Sequence, residues 1–102
     1  MQPPLIVVAR LRARPDRVAE LRAALDTLTV ATRAEDGCLV YDLHVAADDP
    51  TLFVFHERWE SRAHHQAHDA TDHVATFRAS ATDLLAEEPS VDLLYGVEPA
   101  PR

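Results

Sequence analysis

The chain has 102 residues, 47% of them hydrophobic, with a formal net charge of −7 and a single cysteine. This length suits one domain around one core, and the acidic charge argues against nucleic acid or a membrane surface as partner, because phosphate binding needs clustered cations. All ten basic residues are arginine, which excludes lysine-amine chemistry. A single cysteine forms no internal disulfide, and the first apolar run is too short for a signal peptide or membrane span. The protein is therefore predicted to be cytoplasmic.

The first half of the chain predicts a strand followed by a helix. Residues 5–13 (LIVVARLRA) are rich in β-branched side chains and alternate in polarity from Val7 onward, which is typical of a strand. The next segment predicts a helix with Pro15 at its first position and Gly37 just beyond its end. Its apolar stripe consists of Val18, Leu21, Leu25 and Leu28.

The second half predicts a hairpin, a helix and a last strand. The strands CLVYDLHV and TLFVFHERW flank the turn sequence AADDP. Ser61 is a suitable N-cap for a helix that is expected to run to about Leu85, with a break near the sequence DATD. A loop and a strand at 91–98 follow, and the tail at 98–102 is predicted to be loose.

This order, βαββαβ, predicts a ferredoxin-like α+β fold, in which two helices lie on one face of an antiparallel sheet. Residues 1–102 would form a single domain with its core at about 5–97. The strands carry apolar residues on both faces, whereas the helices can cover only one. A two-fold homodimer that packs sheet against sheet is the simplest way to bury the other face.

Five of the six histidines lie in the segment from His56 to Phe77. On the wheel of an unbroken second helix, the apolar side consists of Val74, Phe77 and several alanines. The same wheel turns three histidines to solvent and leaves His73 half-buried at the margin of the stripe. The three solvated histidines are His64, His65 and His68.

The histidine spacing also raises the possibility of a metal site. His64 and His68 are four residues apart, as zinc ligands on a helix often are, and His44 or His56 could supply a third donor. The glutamate of the HExxH pattern is missing, however. No resident metal is therefore predicted.

The third strand places Glu57 between Phe55 and Trp59 on one side of the alternation. One interpretation is a salt bridge with an arginine. The other is a carboxyl group whose pKa is raised in an apolar pocket, where it can transfer a proton. Tyr41 on the neighbouring strand could reach the same region.

The stretch EDGCLVYDLHVAADDPTLFVFHERWESRAHHQAHDATDHVATF resembles the antibiotic biosynthesis monooxygenase family, which consists of small dimeric α+β-barrel proteins. The shared features are an acidic-x-Gly-Cys-x-x-Tyr-x-Leu strand, a Glu-x-Trp strand end and two histidines spaced like His68 and His73. The resemblance extends from about Leu5 to Tyr95. It implies a ligand pocket between the sheet and the helices of each protomer.

The resemblance also implies oxygenation with O2 and no cofactor, in which a base deprotonates a phenol-like substrate and the anion gives an electron to O2. The catalytic candidates are His68 or His73 as the base and Glu57 as an orienting group. The candidates for substrate binding are Trp59, Tyr41, Phe55, His65 and His44.

One position departs from the haem-degrading and polyketide-oxygenase branches of that family, which have asparagine four residues before the tryptophan. This chain has Phe55 there and no asparagine anywhere, so haem degradation is not expected. The prediction is a homodimer that oxidises a small quinol or polyketide-type aromatic with O2. The alternatives are a small-molecule isomerase or ligand-binding protein on the same barrel, or a dimer whose pocket is filled by side chains.

Overall fold

The computed structural model describes residues 3–99. The elements are β1 (Leu5–Arg12), α1 (Val18–Arg33), β2 (Cys38–Ala46), β3 (Asp49–Trp59), α2 (Arg62–Asp69), α3 (Asp72–Ala81) and β4 (Ser90–Leu94). The strands form one antiparallel sheet in the order β2-β3-β1-β4. The predicted ferredoxin-like α+β fold is confirmed. Within residues 3–99, every helix is too short or too polar to cross a membrane.

The core lies between α1 and the two central strands, β1 and β3. Strand alternation places every second residue of β1 on the helix side, and these residues are buried: Leu5, Val7, Ala9 and Leu11. Phe53, Phe55 and Trp59 of β3 join them, as do three residues of the predicted α1 stripe: Leu21, Leu25 and Leu28. Full burial of each large apolar side chain stabilises the fold by roughly 1.5–3 kcal/mol.

The sheet face without helices, here called the open face, also carries apolar side chains. The register pairs Val8 with His56 and Asp92, and it pairs Arg10 with Val54. The apolar residues that alternation places on the open face all keep some exposure: Ile6, Val8, Val40, Leu52, Val54 and Leu94. The prediction that the strands are apolar on both faces is confirmed.

The predicted start of α1 at Pro15 is wrong, because the helix begins three residues later. The amide of Arg17 donates to the carbonyl oxygen of Arg14 over 2.9 Å, so Pro15 lies at the second position of a turn. The fixed φ of proline suits that position as well as it suits a first helical turn. The prediction that Gly37 ends the helix is wrong, because α1 ends at Arg33 with Ala34 as its C-cap. Gly37 lies three residues beyond Ala34 and has a φ of +79°.

Three further boundaries differ from the prediction. The hairpin turn is only Ala47–Asp48, since Asp49 already pairs with Ala46. The predicted extension of the second helix to Leu85 is wrong, because Leu85 instead bridges to the end of β1. β4 ends at Leu94, opposite Ile6, near the beginning of β1. The predicted loose tail begins at residues 98–99, which have no regular secondary structure, and residues 100–102 lie outside the described part.

The break in the second helix is confirmed at Ala70–Thr71, and it reverses the predicted orientation of the first half. Ser61 caps α2 as predicted, its hydroxyl accepting from the His64 amide, and Thr71 caps α3 in the same way. The prediction that His65 and His68 face solvent is wrong, because both are buried. The alanines of α2 and of its C-cap are exposed instead: Ala63, Ala67 and Ala70. A wheel drawn through the break could not show this rotation.

Candidate functional site

A cavity of about 370 Å³ lies between the helix-side face of the sheet and the helices. Its walls are mostly apolar and come from β1, β4, α1 and α3, together with Phe55 of β3. The apolar residues that line it are Val7, Ala9, Leu11, Leu28, Phe55, Val74, Phe77, Pro89, Val91 and Leu93. The polar residues that line it are Tyr41, Glu57, His65, His68, Asp69 and Arg78.

Glu57 enters the cavity because strand alternation turns it inward between Phe55 and Trp59. It is only 4% exposed, and its Oε1 accepts a hydrogen bond from Trp59 Nε1 over 3.0 Å. Burial raises the pKa of Glu57 to about 7, repulsion from Asp69 and Glu35 adds to this, and the Trp59 hydrogen bond opposes it. Among residues 3–99 Glu57 pairs with no arginine, so the salt-bridge interpretation is wrong.

His68 is held in one orientation by a carboxylate. Its Nδ1 lies 2.6 Å from Glu35 Oε2. Because a carboxylate only accepts hydrogen bonds, Nδ1 carries the proton and the lone pair of the neutral ring is on Nε2. Nε2 has no hydrogen-bond partner among residues 3–99, and His68 lines the cavity.

Glu35 also binds the second predicted histidine. It follows α1, and its Oε2 lies 2.8 Å from Nε2 of His73 at the start of α3. One carboxylate oxygen therefore joins the end of α1 to both halves of the second helical segment. His73 does not line the cavity, and its ring is half-buried as predicted, with 28% of the side chain exposed.

Two aromatic candidates, Trp59 and Tyr41, pack around His68, and Phe55 packs against Tyr41. The ring centroids of His68 and Trp59 are 4.9 Å apart, and those of Tyr41 and Phe55 are 4.5 Å apart. Burial and the nearby Glu57 raise the pKa of Tyr41 above its ordinary range, so its phenol stays protonated. Trp59 is fully buried and does not line the cavity, so the prediction that it binds the substrate is wrong for this cavity. Its ring packs against those of Tyr41, His65 and His68, and its Nε1 donates a hydrogen bond to Glu57.

His65 lines the cavity one turn from His68, with a ring-centroid distance of 5.9 Å. Burial lowers its pKa and repulsion from His68 adds to this, while Asp69 opposes it. A buried histidine with a lowered pKa is neutral at pH 7. His65 can therefore offer a neutral hydrogen-bonding ring to a ligand.

One predicted site residue lies elsewhere, and one arrangement that the sequence left possible is not formed. His44 is exposed on β2, where its Nδ1 lies 3.2 Å from the Val54 carbonyl oxygen, outside the cavity. Strand alternation places the side chain of His44 on the open face and that of Leu43 on the helix side. The possible His64–His68 metal pair is also absent, because His64 Nδ1 instead lies 2.7 Å from Ser61 Oγ. His56, the other possible donor, is exposed on the open face.

Sequence reasoning assigned no role to Glu35, Asp69 or Arg78. Glu35 is the acidic residue of the acidic-x-Gly-Cys pattern, which singles out the position but does not indicate which side chains it contacts. Asp69 and Arg78 line the cavity and lie near each other across the helix break, with Arg78 Nη2 3.5 Å from Asp69 Oδ1. That contact depends on the α2–α3 angle, which no local pattern specifies.

The fold and the site together define a small α+β protein with a largely apolar cavity that Glu57 and His68 line. Residues 4–80 match the family model described as "Antibiotic biosynthesis monooxygenase". "Putative monooxygenase Rv0793" of Mycobacterium tuberculosis is 40% identical over 100 residues, which cover 98% of each chain. The chain belongs to the antibiotic biosynthesis monooxygenase family, and these names support a monooxygenase-like role.

Solved structures agree with this assignment. The structure of Rv0793 from Mycobacterium tuberculosis has a TM-score of 0.88 and 39% identity, covering 96% of this chain and 99% of that chain. The crystal structure of PA3566 from Pseudomonas aeruginosa has a TM-score of 0.90 and 35% identity, covering 96% of this chain and 98% of that chain.

Proposed function

We propose that this protein is a cofactor-independent monooxygenase that oxidises a small quinol or polyketide-type aromatic with O2. The observation that carries the proposal is the Glu35–His68 pair, with Nδ1 bound at 2.6 Å and Nε2 free beside an apolar cavity. A carboxylate bound to one ring nitrogen fixes the tautomer and makes the other nitrogen a better base. The family membership supports the same reaction class.

The cavity suits a small aromatic ligand. Its volume of about 370 Å³ falls within the range of about 300–1,000 Å³ that is usual for small-molecule sites. Apolar walls accept flat rings, while the polar groups stand together at one side: Tyr41, Glu57, His65 and His68. A phenolic oxygen would therefore point toward His68 and Tyr41.

The reaction can be written for a substrate with a CH2 carbon conjugated to phenols. His68 Nε2 takes a proton, and the carbanion gives one electron to O2, forming a carbon radical and superoxide. The two recombine through a new C–O bond, and the neutral carboxyl of Glu57 protonates the terminal oxygen. Glu57 then removes the remaining C–H proton while the O–O bond breaks, and the departing hydroxide takes the His68 proton. One oxygen atom enters the carbonyl product and the other leaves as water.

Glu57 suits this role because its pKa is raised to about 7, so both its protonation states are populated at neutral pH. Trp59 donates to its Oε1, which leaves Oε2 without a hydrogen-bond partner among residues 3–99. His65 and Tyr41 would hold the substrate oxygen by neutral hydrogen bonds. Asp69 and Arg78 lie at the helix-break side of the cavity.

Oxygen uptake tests the proposal. Purified protein is incubated with a panel of quinols and hydroxyanthrones in an electrode cell, and ¹⁸O2 labelling follows the oxygen in the product. The proposal predicts accelerated uptake with one labelled atom per carbonyl. The control is Glu20→Gln, which alters an exposed residue of α1 outside both the cavity and the open face and should keep the wild-type rate. No acceleration over buffer across the panel would refute the proposal.

A second candidate function is an isomerase, and one observation favours it: two proton-transfer groups, Glu57 and His68, line one cavity. Such a pair can move a proton between two carbons without O2. Anaerobic incubation separates the two reactions. Conversion of a substrate at an undiminished rate without O2 would support the isomerase and contradict the monooxygenase.

We also propose that the working form is a homodimer joined through the open faces. The open face carries partly exposed apolar residues on all four strands, among them Ile6, Val8 and Val54. Such a surface favours self-association in a two-fold arrangement. Each subunit keeps its own cavity on the opposite side of the sheet.

A further inference from the structure

The cluster of Glu35, His68 and His73 has the composition of a metal site. One oxygen and two ring nitrogens of these residues lie within 4.8 Å of one another. Glu35 Oε2 is 2.6 Å from His68 Nδ1 and 2.8 Å from His73 Nε2. Two histidines and one carboxylate are a ligand set that Zn²⁺ and similar ions accept, with a fourth position left for water.

We propose that Glu35, His68 and His73 bind a divalent transition-metal ion of the Zn²⁺ class, in exchange with the hydrogen-bonded state. Tetrahedral zinc with bonds of about 2.0–2.2 Å separates its ligand atoms by roughly 3.3 Å. The present nitrogen–oxygen distances of 2.6 and 2.8 Å therefore need to lengthen by about 0.7 and 0.5 Å. Small side-chain rotations supply that movement.

The site is reachable from outside the catalytic cavity. His73 keeps 28% of its side chain exposed, against 6% for His68. His73 lines a surface groove together with Thr27, Thr76 and Ser80. An ion can enter from this groove while the cavity on the other side of His68 is occupied, and water from the groove can fill the fourth position.

Metal binding would change the face that His68 presents to the cavity, and this consequence depends on the proposed function. A metal ion on Nδ1 takes the lone pair of that nitrogen, so the ring proton moves to Nε2. Nε2 then donates a hydrogen bond and no longer accepts a proton. The ion would act as an inhibitor that removes the base from the monooxygenase, and it would not be a cofactor.

Another histidine offers a competing position. His64 Nε2 lies 3.6 Å from Asp36 Oδ2 and 3.7 Å from Glu60 Oε2, and all three residues are more exposed than Glu35 and His68. This group of His64, Asp36 and Glu60 has only one nitrogen ligand, so His64 serves as the control for adventitious metal binding.

The test is a titration of tag-free, chelator-treated protein with Co²⁺ and Zn²⁺. Visible absorption follows Co²⁺, and a chromogenic chelator competes for Zn²⁺. The proposal predicts one ion per chain and an intense tetrahedral Co²⁺ spectrum. His73→Gln and Glu35→Gln should each weaken binding by about 100-fold or more, since loss of an outer-shell partner alone costs about 10–100-fold. His64→Gln should bind as the wild type does.

Two results would overturn the proposal: no stoichiometric binding by the wild type, or equal affinity in the wild type and the two ligand variants. Circular dichroism checks that each variant folds. If one does not, X-ray absorption of the wild-type Zn²⁺ complex provides the test, and the proposal requires two imidazole ligands in that spectrum. Inhibition of oxygen uptake by Zn²⁺ is measured separately. Binding without inhibition would contradict the consequence for His68 and leave the site itself supported.

Discussion

Replacing Glu57 by glutamine should remove a pH-dependent loss of stability. Glutamine keeps the size of the side chain and its Oε1 still accepts from Trp59 Nε1, but it cannot ionise. Burial raises the pKa of Glu57 from 4.5 to about 7 in the folded chain. Below pH 4.5 the carboxyl is neutral in both states. As pH rises toward 7 the unfolded chain ionises first, so the free energy of unfolding falls.

The size of this loss follows from the two pKa values. Linkage gives a cost of about 3 kcal/mol at pH 8 and about 1 kcal/mol at pH 5, hence a loss of about 2 kcal/mol between them. The side chain is only 4% exposed, so solvent screening removes little of this. The Glu57→Gln variant should lack the loss.

Urea unfolding followed by circular dichroism measures the effect at pH 5 and pH 8, with all samples at one protein concentration because dimerisation would shift the midpoint. Wild type should lose about 2 kcal/mol more than Glu57→Gln over this interval. Glu88→Gln, which alters an exposed glutamate, should behave like the wild type. If wild type and Glu57→Gln lose equal stability, Glu57 does not have a raised pKa.

Two further predictions concern the scaffold. Gly37→Ala should destabilise the fold by about 2 kcal/mol or more, because a Cβ would lie 2.2 Å from His64 Cδ2 and the φ is +79°. In a His64→Ala background the loss in urea unfolding should be smaller, because the ring contacts at 2.2 and 2.4 Å are removed, while the contact with Cβ of residue 64 at 2.8 Å and a φ cost of about 1 kcal/mol remain. An equal loss in both backgrounds would contradict the steric argument. Val8→Glu on the open face should leave the circular dichroism spectrum unchanged and yield monomers in sedimentation at micromolar concentration. A monomeric wild type would refute the dimer.

Much of the fold could be predicted because local patterns agree with the tertiary structure. The alternation in β1 and the Leu21–Leu25–Leu28 stripe of α1 specify which faces are buried, and the core uses these faces. Ser61 needs only its own helix to act as a cap. The start of α1 could not be read in the same way, because Pro15 suits a turn and a first helical position equally well.

The site was less predictable because its contacts join distant segments. Glu35 and His73 are 38 positions apart and meet only after α1 and α3 pack together. The burial of His65 and His68 depends on the break at Ala70–Thr71, which allows α2 to turn its histidines inward. Glu57 could be singled out because alternation alone places it between two buried aromatic residues. Its partner, Trp59, lies two positions away on the same strand.

The most direct test of the central claim compares two histidines bound to the same carboxylate oxygen. His68→Gln and His73→Gln are assayed for oxygen uptake at saturating concentration of the best substrate from the panel, with folding checked by circular dichroism. If His68 Nε2 is the base, His68→Gln should lower kcat by about 100-fold or more, and His73→Gln should lower it far less because His73 does not line the cavity. A wild-type kcat in His68→Gln, or a larger loss in His73→Gln, would contradict the assignment.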